Sequence, residues 1–308
     1  MLNIYGKNNC NRQTFETAFN EGFKRVELQL INDFLELPVT HYLEVIKSVP
    51  SIQVTSVHPP IINHNACDFA DMLDSHKKRV IYKAAYLADA LGHSLGRCVP
   101  VVVHAVFGYD FFRRYTGLFR NLIDEFDTLL YTFPNIEISL ENTIPLHYDG
   151  DTKGITSRGT DLSDNLKIVR DVRDVLKTNR INAVVDTCHL LSTIRIKENN
   201  AQFFDNEVKV ETLESYFKEA EGLVHIIHLC NCIGYGMGSK NHGTPFVKTN
   251  PDDCNLLKQL ANLINTYCPE AMCVLELSEP TYAPGHRNPN KLATLDTMRS
   301  LGIEYTLG

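Results

Sequence analysis

Short runs of apolar and β-branched residues recur along the whole chain. Within each run the apolar positions are continuous rather than alternating, which is typical of strands buried on both faces of a parallel sheet. The eight runs occupy residues 2–6, 25–30, 52–58, 99–106, 136–142, 181–187, 223–229 and 272–278. The pattern therefore predicts eight strands in a parallel sheet.

Segments with a helical spacing of apolar residues lie between these runs. In residues 71–93 one stripe contains Val80, Ala84, Leu87 and Leu91, as an amphipathic helix requires. The other predicted helices are 161–179, 211–222 and 251–268, with further segments near 11–22, 38–48, 110–132 and 288–301. This alternation predicts one (β/α)8 TIM barrel over residues 1–308, with its functional residues at the C-terminal face of the strands.

An open doubly wound sheet is the alternative arrangement of such units. It normally carries a glycine-rich phosphate-binding turn after the first strand, and residues 5–11, YGKNNCN, fit that turn poorly. The longest predicted loops are 143–160, 190–207 and 230–250. In a barrel all three would lie on the C-terminal face.

Composition narrows the class of protein. A hydrophobic fraction of 44% in 308 residues supports a large core, and the net charge of −7 argues against a general nucleic-acid coat. The nine cysteines form no CxxC pair and several lie in apolar runs, so we expect reduced, buried thiols. The N-terminal residues do not resemble a signal peptide, and no run reaches 18 apolar residues. We expect a cytoplasmic protein that does not contact membranes.

Imidazole and carboxylate side chains stand at the ends of six consecutive predicted strands. Carboxylates buried together repel one another unless cations are bound, and mixed imidazole and carboxylate ligands suit zinc, manganese or iron. The sequence therefore predicts a centre with more than one metal ion. Glu27 on the second strand fits either this group or a structural role as a buried acid, and the structural role is favoured. The predicted ligands are His58, His104, Glu141, Asp186, His189, His228, His242 and Glu276.

Several motifs around these residues resemble the endonuclease IV family (abasic-site endonuclease family 2) of the xylose-isomerase-like barrels. DTCH at 186–189 and LENT at 140–143 match best. Looser matches are HPPIINHN at 58–65, VVVHAVFG at 101–108, HLCNCIGYGMGSKNH at 228–242 and LELSEP at 275–280. The resemblance covers nearly the whole chain in strand order.

The resemblance implies a metal-dependent hydrolase that cuts the DNA backbone 5′ to abasic sites through a metal-bridging hydroxide. One Zn²⁺ would be held by His58, His104 and Glu141, a second by Glu141, Asp186, His228 and Glu276, and a third by His189 and His242. Glu141 and Glu276 would also be catalytic, and Mn²⁺ could replace zinc. The implied partner is double-stranded DNA with abasic damage, bound by a monomer without an obligate protein partner.

The sequence departs from the family pattern at two places. Lys240 stands where the family has an aspartate ligand of the third zinc, and we hypothesise that its ammonium replaces a cation near the leaving oxygen. Ile61 and Ile62 replace the aromatic residue that penetrates DNA, which leaves an apolar wedge. Arg113 and Arg114, in the aromatic segment 107–115, belong to a set of basic residues predicted at the C-terminal face and suited to phosphate binding. The others are Lys153, Arg158, Arg195, Lys197, Lys248 and Arg287.

Two other functions remain open from the sequence. A sugar isomerase or epimerase on the same barrel would hold one metal with Glu141, Asp186, His228 and Glu276, and RVELQL (25–30) and HGTPF (242–246) favour it slightly. A non-catalytic barrel with remnant ligands is the third possibility. His58 and His104 favour the nuclease, because an isomerase needs only one metal and these imidazoles call for a second.

Overall fold

The computed structural model describes residues 1–60, 75–104, 109–143, 162–199, 212–234, 242–281 and 283–308. Eight parallel strands form a closed barrel in chain order, and the last of them pairs with the first to complete it. The predicted (β/α)8 TIM barrel is therefore confirmed. The barrel strands are β1 (Leu2–Asn9), β2 (Arg25–Gln29), β3 (Gln53–His58), β4 (Val99–His104), β5 (Ile136–Glu141), β6 (Ile181–Asp186), β7 (Val224–Leu229) and β10 (Met272–Leu275).

Helices alternate with the strands and cover the barrel. Their inward faces bury aromatic and aliphatic residues such as Phe15, Phe126 and Phe217 against the outer faces of the strands. A short 3-10 helix spans Asn32–Leu35. The α-helices of the described residues are α1 (Arg12–Asn20), α2 (Val39–Lys47), α3 (Ser75–Leu95), α4 (Tyr109–Arg114), α5 (Thr116–Thr132), α6 (Asp164–Leu176), α7 (Thr187–Asn199), α8 (Leu213–Ala220), α9 (Pro251–Tyr267) and α10 (Pro289–Ser300).

Helix α7 corrects the prediction of a loop at 190–207 as far as residue 199, and residues 200–207 lie outside the described residues. The helix follows β6 without a break, so Thr187 and His189 lie in its first turn. The Asp186 carboxylate accepts a 2.7 Å hydrogen bond from the His189 backbone N–H, three residues further on, as an N-cap side chain does. Asp186 therefore starts the helix as well as ending the strand.

Small additional strands complete the sheet structure. β8 (Asn231–Cys232) and β9 (His242–Thr244) form an antiparallel pair after β7, and β11 (Tyr305–Leu307) pairs with the beginning of β1. Gly243 has φ +71°, and a Cβ there would come within 2.9 Å of the Ser278 backbone nitrogen. Glycine thus lets β9 approach the segment that carries Glu276.

Five of the eight cysteines in the described residues are buried. Eight cysteines lie in the described ranges and carry free thiols, but Cys10, Cys98 and Cys254 are only partly buried, contrary to the prediction of buried thiols. Cys10 and Cys98 lie outside the strands β1 and β4 that they adjoin, and Cys254 lies in the first turn of α9. Among the described helices, none combines the length and apolar character of a membrane span.

Candidate metal centre

Polar residues form a cup inside the barrel, above an apolar layer. Tyr5, Val102, Val184, Ile226 and Val274 pack together inside the barrel on five different strands. Side chains two positions apart on a strand point to the same side. The residues two positions further toward the C-terminal face are Lys7, His104, Asp186, His228 and Glu276, so the alternation of each strand places a polar group above an apolar one.

Glu141 lies at the centre of the cup and faces two different groups of ligands. Its Oε2 atom lies 3.1 Å from His104 Nε2 and 3.5 Å from His58 Nε2. Its Oε1 atom lies 3.3 Å from His228 Nδ1 and 3.5 Å from His189 Nδ1. The carboxylate is buried, and burial opposes its ionisation, but His228 and His104 hold its pKa well below the ordinary value. Glu141 can therefore bridge two positively charged species.

The ring orientation of His58 fits a cation between His58 and Glu141. The Nδ1 atom lies 2.8 Å from the Pro59 carbonyl oxygen, which only accepts hydrogen bonds, so Nδ1 carries the proton. Burial and the charge of Lys7 lower the pKa of His58, so Nε2 of the neutral ring presents a lone pair. That lone pair faces the Glu141 carboxylate, which is also an acceptor. A metal ion resolves this conflict, and its ligands would be His58, His104 and Glu141.

A second group of ligands lies on the other side of Glu141. One ligand atom from each of Glu141, Asp186, His228 and Glu276 falls within 4.8 Å of the others. His228 Nδ1 is 2.6 Å from Glu276 Oε2, while its Nε2 is 3.0 Å from Glu27 Oε1. Burial opposes the charge of this imidazole, but Glu276 and Glu27 raise its pKa well above the ordinary value. In the metal-free protein a proton on Nδ1 therefore takes the place that a metal ion would have.

Glu27 supports this second group from behind. It accepts a 2.9 Å hydrogen bond from Ser56 Oγ and lies beside His228 and Lys7. Burial opposes its ionisation, but His228 and Lys7 lower its pKa to about 2. The favoured prediction for Glu27, a buried structural acid, agrees with these contacts. A carboxylate at the far nitrogen of a ligand imidazole fixes the ring and makes it more basic.

His189 and His242 form a third pair at the rim. Their Nε2 atoms are 3.2 Å apart, close to the separation of about 3.3 Å that two imidazoles adopt on one tetrahedral zinc ion. His189 Nδ1 lies 2.8 Å from the Asn142 carbonyl oxygen, which directs Nε2 toward His242. Asp186, Cys188 and His242 also offer ligand atoms within 4.8 Å of one another. The pair can hold a cation with the help of Asp186.

Lys7 is a member of the cup that the sequence prediction missed. Its Nζ atom lies 2.8 Å from Glu276 Oε2 and 3.1 Å from Glu27 Oε1. The first strand was predicted to end at residue 6, whereas β1 continues to Asn9 and carries Lys7 into the barrel. The available signal was the two-residue spacing from Tyr5, which becomes informative once Tyr5 is placed inside the barrel.

Most of the remaining predicted residues lie either on α4 or outside the described part of the chain. Lys240, Ile61 and Ile62 lie outside the described residues, as do Lys153 and Arg158. Arg113 and Arg114 are exposed in the last turn of α4, which follows β4 at the C-terminal face.

Two further predicted basic residues are engaged within the protein. Arg195 donates to the carbonyl oxygens of Cys232 and Gly234, and Lys248 pairs with Asp296. These contacts hold a loop and a helix in place, and the assignment of both residues to a phosphate-binding face stays a prediction.

A cleft of about 680 Å³ opens from the cup. The candidate ligands form one wall, and the ends of β1 and β2, the first turn of α1 and the segment before α10 form the other. The cleft is therefore large enough for a substrate group to reach the candidate metal ligands. The residues that line it include Lys7, Asn8, Gln29, His58, Glu141, His242, Glu276, His286 and Lys291.

The chain is similar to several solved structures over almost its full length. A family 2 AP endonuclease from Brucella melitensis has 10% identity and a TM-score of 0.55, with 98% of each chain covered. A D-tagatose 3-epimerase-like protein has 13% identity and a TM-score of 0.57, with 97% of each chain covered. The IOLI protein with a bound zinc atom has 11% identity and a TM-score of 0.58, with 97% of this chain and 98% of that chain covered.

These neighbours are xylose-isomerase-like TIM barrels. This chain has the same fold. Neither the family models nor the curated proteins include a match to its sequence. At these identities the similarity concerns the fold alone, and the neighbours with that fold include an epimerase-like protein as well as an endonuclease. The chemistry of this chain therefore depends on the side chains of the cup.

The metal-free cup gives a pH-dependent prediction. Burial opposes the charge of His242, but Asp186 raises its pKa to about 9. The stabilisation from this pair is thus fully present below pH 6.5 and is lost as the pH rises through about 9, a difference on the order of 3 kcal/mol. Urea unfolding of chelator-treated protein at several pH values measures it. The His242→Gln variant should lose this component, and an unchanged pH dependence in the variant would contradict the assignment.

Proposed function

We propose that the protein is a metal-dependent phosphodiesterase that hydrolyses the DNA backbone 5′ to abasic sites, in the manner of the endonuclease IV family. The observation that carries this proposal is the position of Glu141 between two separate ligand groups. A carboxylate with one oxygen toward each group suits a bridged pair of ions. Pairs of ions of this kind are typical of enzymes that hydrolyse phosphate esters.

The donor set fits two zinc ions, with manganese as the alternative. His58, His104 and Glu141 would hold one ion, and Glu141, Asp186, His228 and Glu276 would hold the other. His189 and His242 would hold a third where Asp186 supplies the missing carboxylate. Bound ions would neutralise the charge of a phosphate ester and lower the pKa of a water molecule.

Neighbouring groups hold the ligand imidazoles of the cup in the orientation that metal binding requires. Pro59 fixes the tautomer of His58, Asn142 fixes that of His189, and Glu27 lies against the far nitrogen of His228. The cleft lets an extended substrate reach Glu141 and Glu276, which we assign as catalytic. We assign Arg113 and Arg114, exposed on α4, to contacts with the DNA backbone. We expect the protein to act on double-stranded DNA as a monomer.

His58 and His104 favour hydrolysis over sugar isomerisation. The group of Glu141, Asp186, His228 and Glu276 would be enough for an isomerase with one metal. The two additional imidazoles converge on the free oxygen of Glu141, where such an enzyme has no need of them.

The direct test is cleavage of a duplex oligonucleotide that carries one abasic-site analogue. We expect zinc- or manganese-loaded protein to cut on the 5′ side of the lesion, and chelation to abolish cutting. An undamaged duplex of the same sequence is the control substrate. No cleavage with zinc, manganese or cobalt would refute the proposal, and epimerisation of a ketose with manganese would establish the alternative.

A double variant of His58 and His104 tests hydrolysis against sugar isomerisation by measuring the metal content. His58→Gln together with His104→Gln should lower the bound zinc by about one ion per chain and slow hydrolysis about 100-fold or more, because only one ligand group remains. His225→Gln is the matched control, since His225 lies on β7 but is exposed and faces Glu137. Metal analysis by mass spectrometry measures the stoichiometry. Equal zinc content in the double variant and the wild type would show that these imidazoles are not ligands.

A further inference from the structure

Lys7 lies in the cup because of the register of β1 with its neighbours. On one side Lys7 pairs with Glu27 of β2. On the other side Gly6 pairs with Leu275 of β10, so the next residues along, Lys7 and Glu276, lie side by side. The ammonium is buried, with its side chain 9% exposed, and sits between the two carboxylates. The backbone places it there, rather than a chance side-chain rotation.

The β1 end that carries Lys7 is itself held firmly. Lys291 Nζ of α10 donates a 2.7 Å hydrogen bond to the Lys7 carbonyl oxygen. Glu279 accepts hydrogen bonds of 2.9 and 3.0 Å from the backbone N–H groups of Asn290 and Lys291, which fixes the start of α10. Lys7 therefore lines the cleft from a supported backbone, and its ammonium is buried between Glu27 and Glu276.

Once two divalent ions are bound, the positive charge of Lys7 exceeds what the carboxylates of the cup need for neutrality. Four carboxylates, those of Glu27, Glu141, Asp186 and Glu276, surround the ligand positions and are buried or partly buried. Two divalent ions balance these four negative charges. The ammonium of Lys7 is then no longer needed to neutralise Glu276, and it gives this wall of the cleft a net positive charge. A neutral sugar gains little from that charge, whereas an anion gains a charge-assisted hydrogen bond.

We propose that Lys7 is a phosphate-binding residue of this centre, which holds an anionic oxygen of the substrate beside the metal ions. This inference rests on the proposed function and specifies the class of substrate as a phosphate ester. Lys7 is a compact point charge on a flexible stem, so its buried ammonium can rotate toward a phosphate oxygen in the cleft while it stays beside Glu276.

The test measures binding of inorganic phosphate to zinc-loaded protein by titration calorimetry, together with zinc content. The Lys7→Met variant should bind phosphate about tenfold more weakly than the wild type, while its zinc content stays at the wild-type level. Lys7→Arg should retain phosphate binding within about threefold, because it keeps the charge. The double variant Lys7→Met with Glu27→Gln removes both charges of the buried pair and serves where the single change prevents folding.

These outcomes distinguish phosphate binding by Lys7 from a purely structural role in which Lys7 supports Glu276. Wild-type phosphate affinity in a folded double variant would overturn the assignment. Joint loss of zinc and phosphate in Lys7→Met, or in the double variant but not in Glu27→Gln alone, would also overturn it, since Lys7 would then support Glu276 only. Failure of the proposed function itself would look different, because the zinc-loaded wild type would then neither bind phosphate nor cut abasic DNA.

Discussion

Replacement of Glu141 with glutamine is expected to slow hydrolysis of abasic DNA by about 10²- to 10³-fold. The carboxylate faces His58 and His104 with one oxygen and His228 with the other, so an amide leaves both groups short of one negative ligand. Loss of several kcal/mol of charge stabilisation by the ions corresponds to that range, because about 1.4 kcal/mol is a factor of ten in rate. Single-turnover cleavage at saturating zinc measures the effect.

A matched control lies on the same strand. Glu137 stands four residues earlier on β5 and contacts Asn182 and His225, away from the cup. Glu137→Gln makes the same chemical change and is expected to alter cleavage by less than about twofold. Equal cleavage rates for the two variants would show that Glu141 does not bridge the ions. Zinc analysis of both proteins would show whether both ligand groups still bind their ions.

The sequence was sufficient to predict which strand ends carry the ligand candidates. Continuous apolar runs indicate strands buried on both faces, and in a barrel all eight C-terminal ends lie on one rim. His58, His104, Glu141, Asp186 and His228 each occupy the last or next-to-last position of a strand. The strand bounds alone therefore bring them together, without knowledge of how the side chains pack.

The inward position of Lys7 and the helix α7 could not be predicted from the sequence. A lysine near the end of a strand normally faces solvent, and only closure between β10 and β1 turns Lys7 inward. In α7 the β-branched residues Thr193, Ile194 and Ile196 have weak helix propensity, so the local sequence does not favour a helix. The helix forms because Asp186 caps it and because the buried Leu190 and Leu191 lie in the core. These are tertiary effects that local patterns do not contain.

Asn142, the residue after Glu141, connects two ligands through three hydrogen bonds. Its side-chain oxygen accepts from the Asp186 backbone N–H at 2.6 Å, and its side-chain nitrogen donates to the Asp186 carbonyl oxygen at 3.1 Å. Its own carbonyl oxygen accepts from His189 Nδ1. The amide is buried, so water cannot replace these partners. Asn142 therefore fixes the strand end that presents Asp186 and the ring that presents His189.

Substitution of Asn142 by alanine is expected to lower zinc affinity about 10- to 100-fold and to destabilise the protein by about 2 kcal/mol. The Asp186 backbone N–H and carbonyl groups would lose their side-chain partners in a buried environment, and Asp186 would lose its fixed orientation. Competition with a zinc chelator measures the affinity, and urea unfolding of the metal-free protein measures the stability.

Asn165→Ala separates a loss of metal ligation from a general loss of stability. Asn165 is also a buried amide that joins β5 to β6, through the carbonyl oxygens of Leu140 and Val184, but it contacts neither Asp186 nor His189. We expect comparable destabilisation with zinc affinity within about threefold of the wild type. Parallel losses of zinc affinity in both variants would mean that affinity follows the stability of the barrel. A loss confined to Asn142→Ala would mean that the Asn142 amide orients the Asp186 ligand directly.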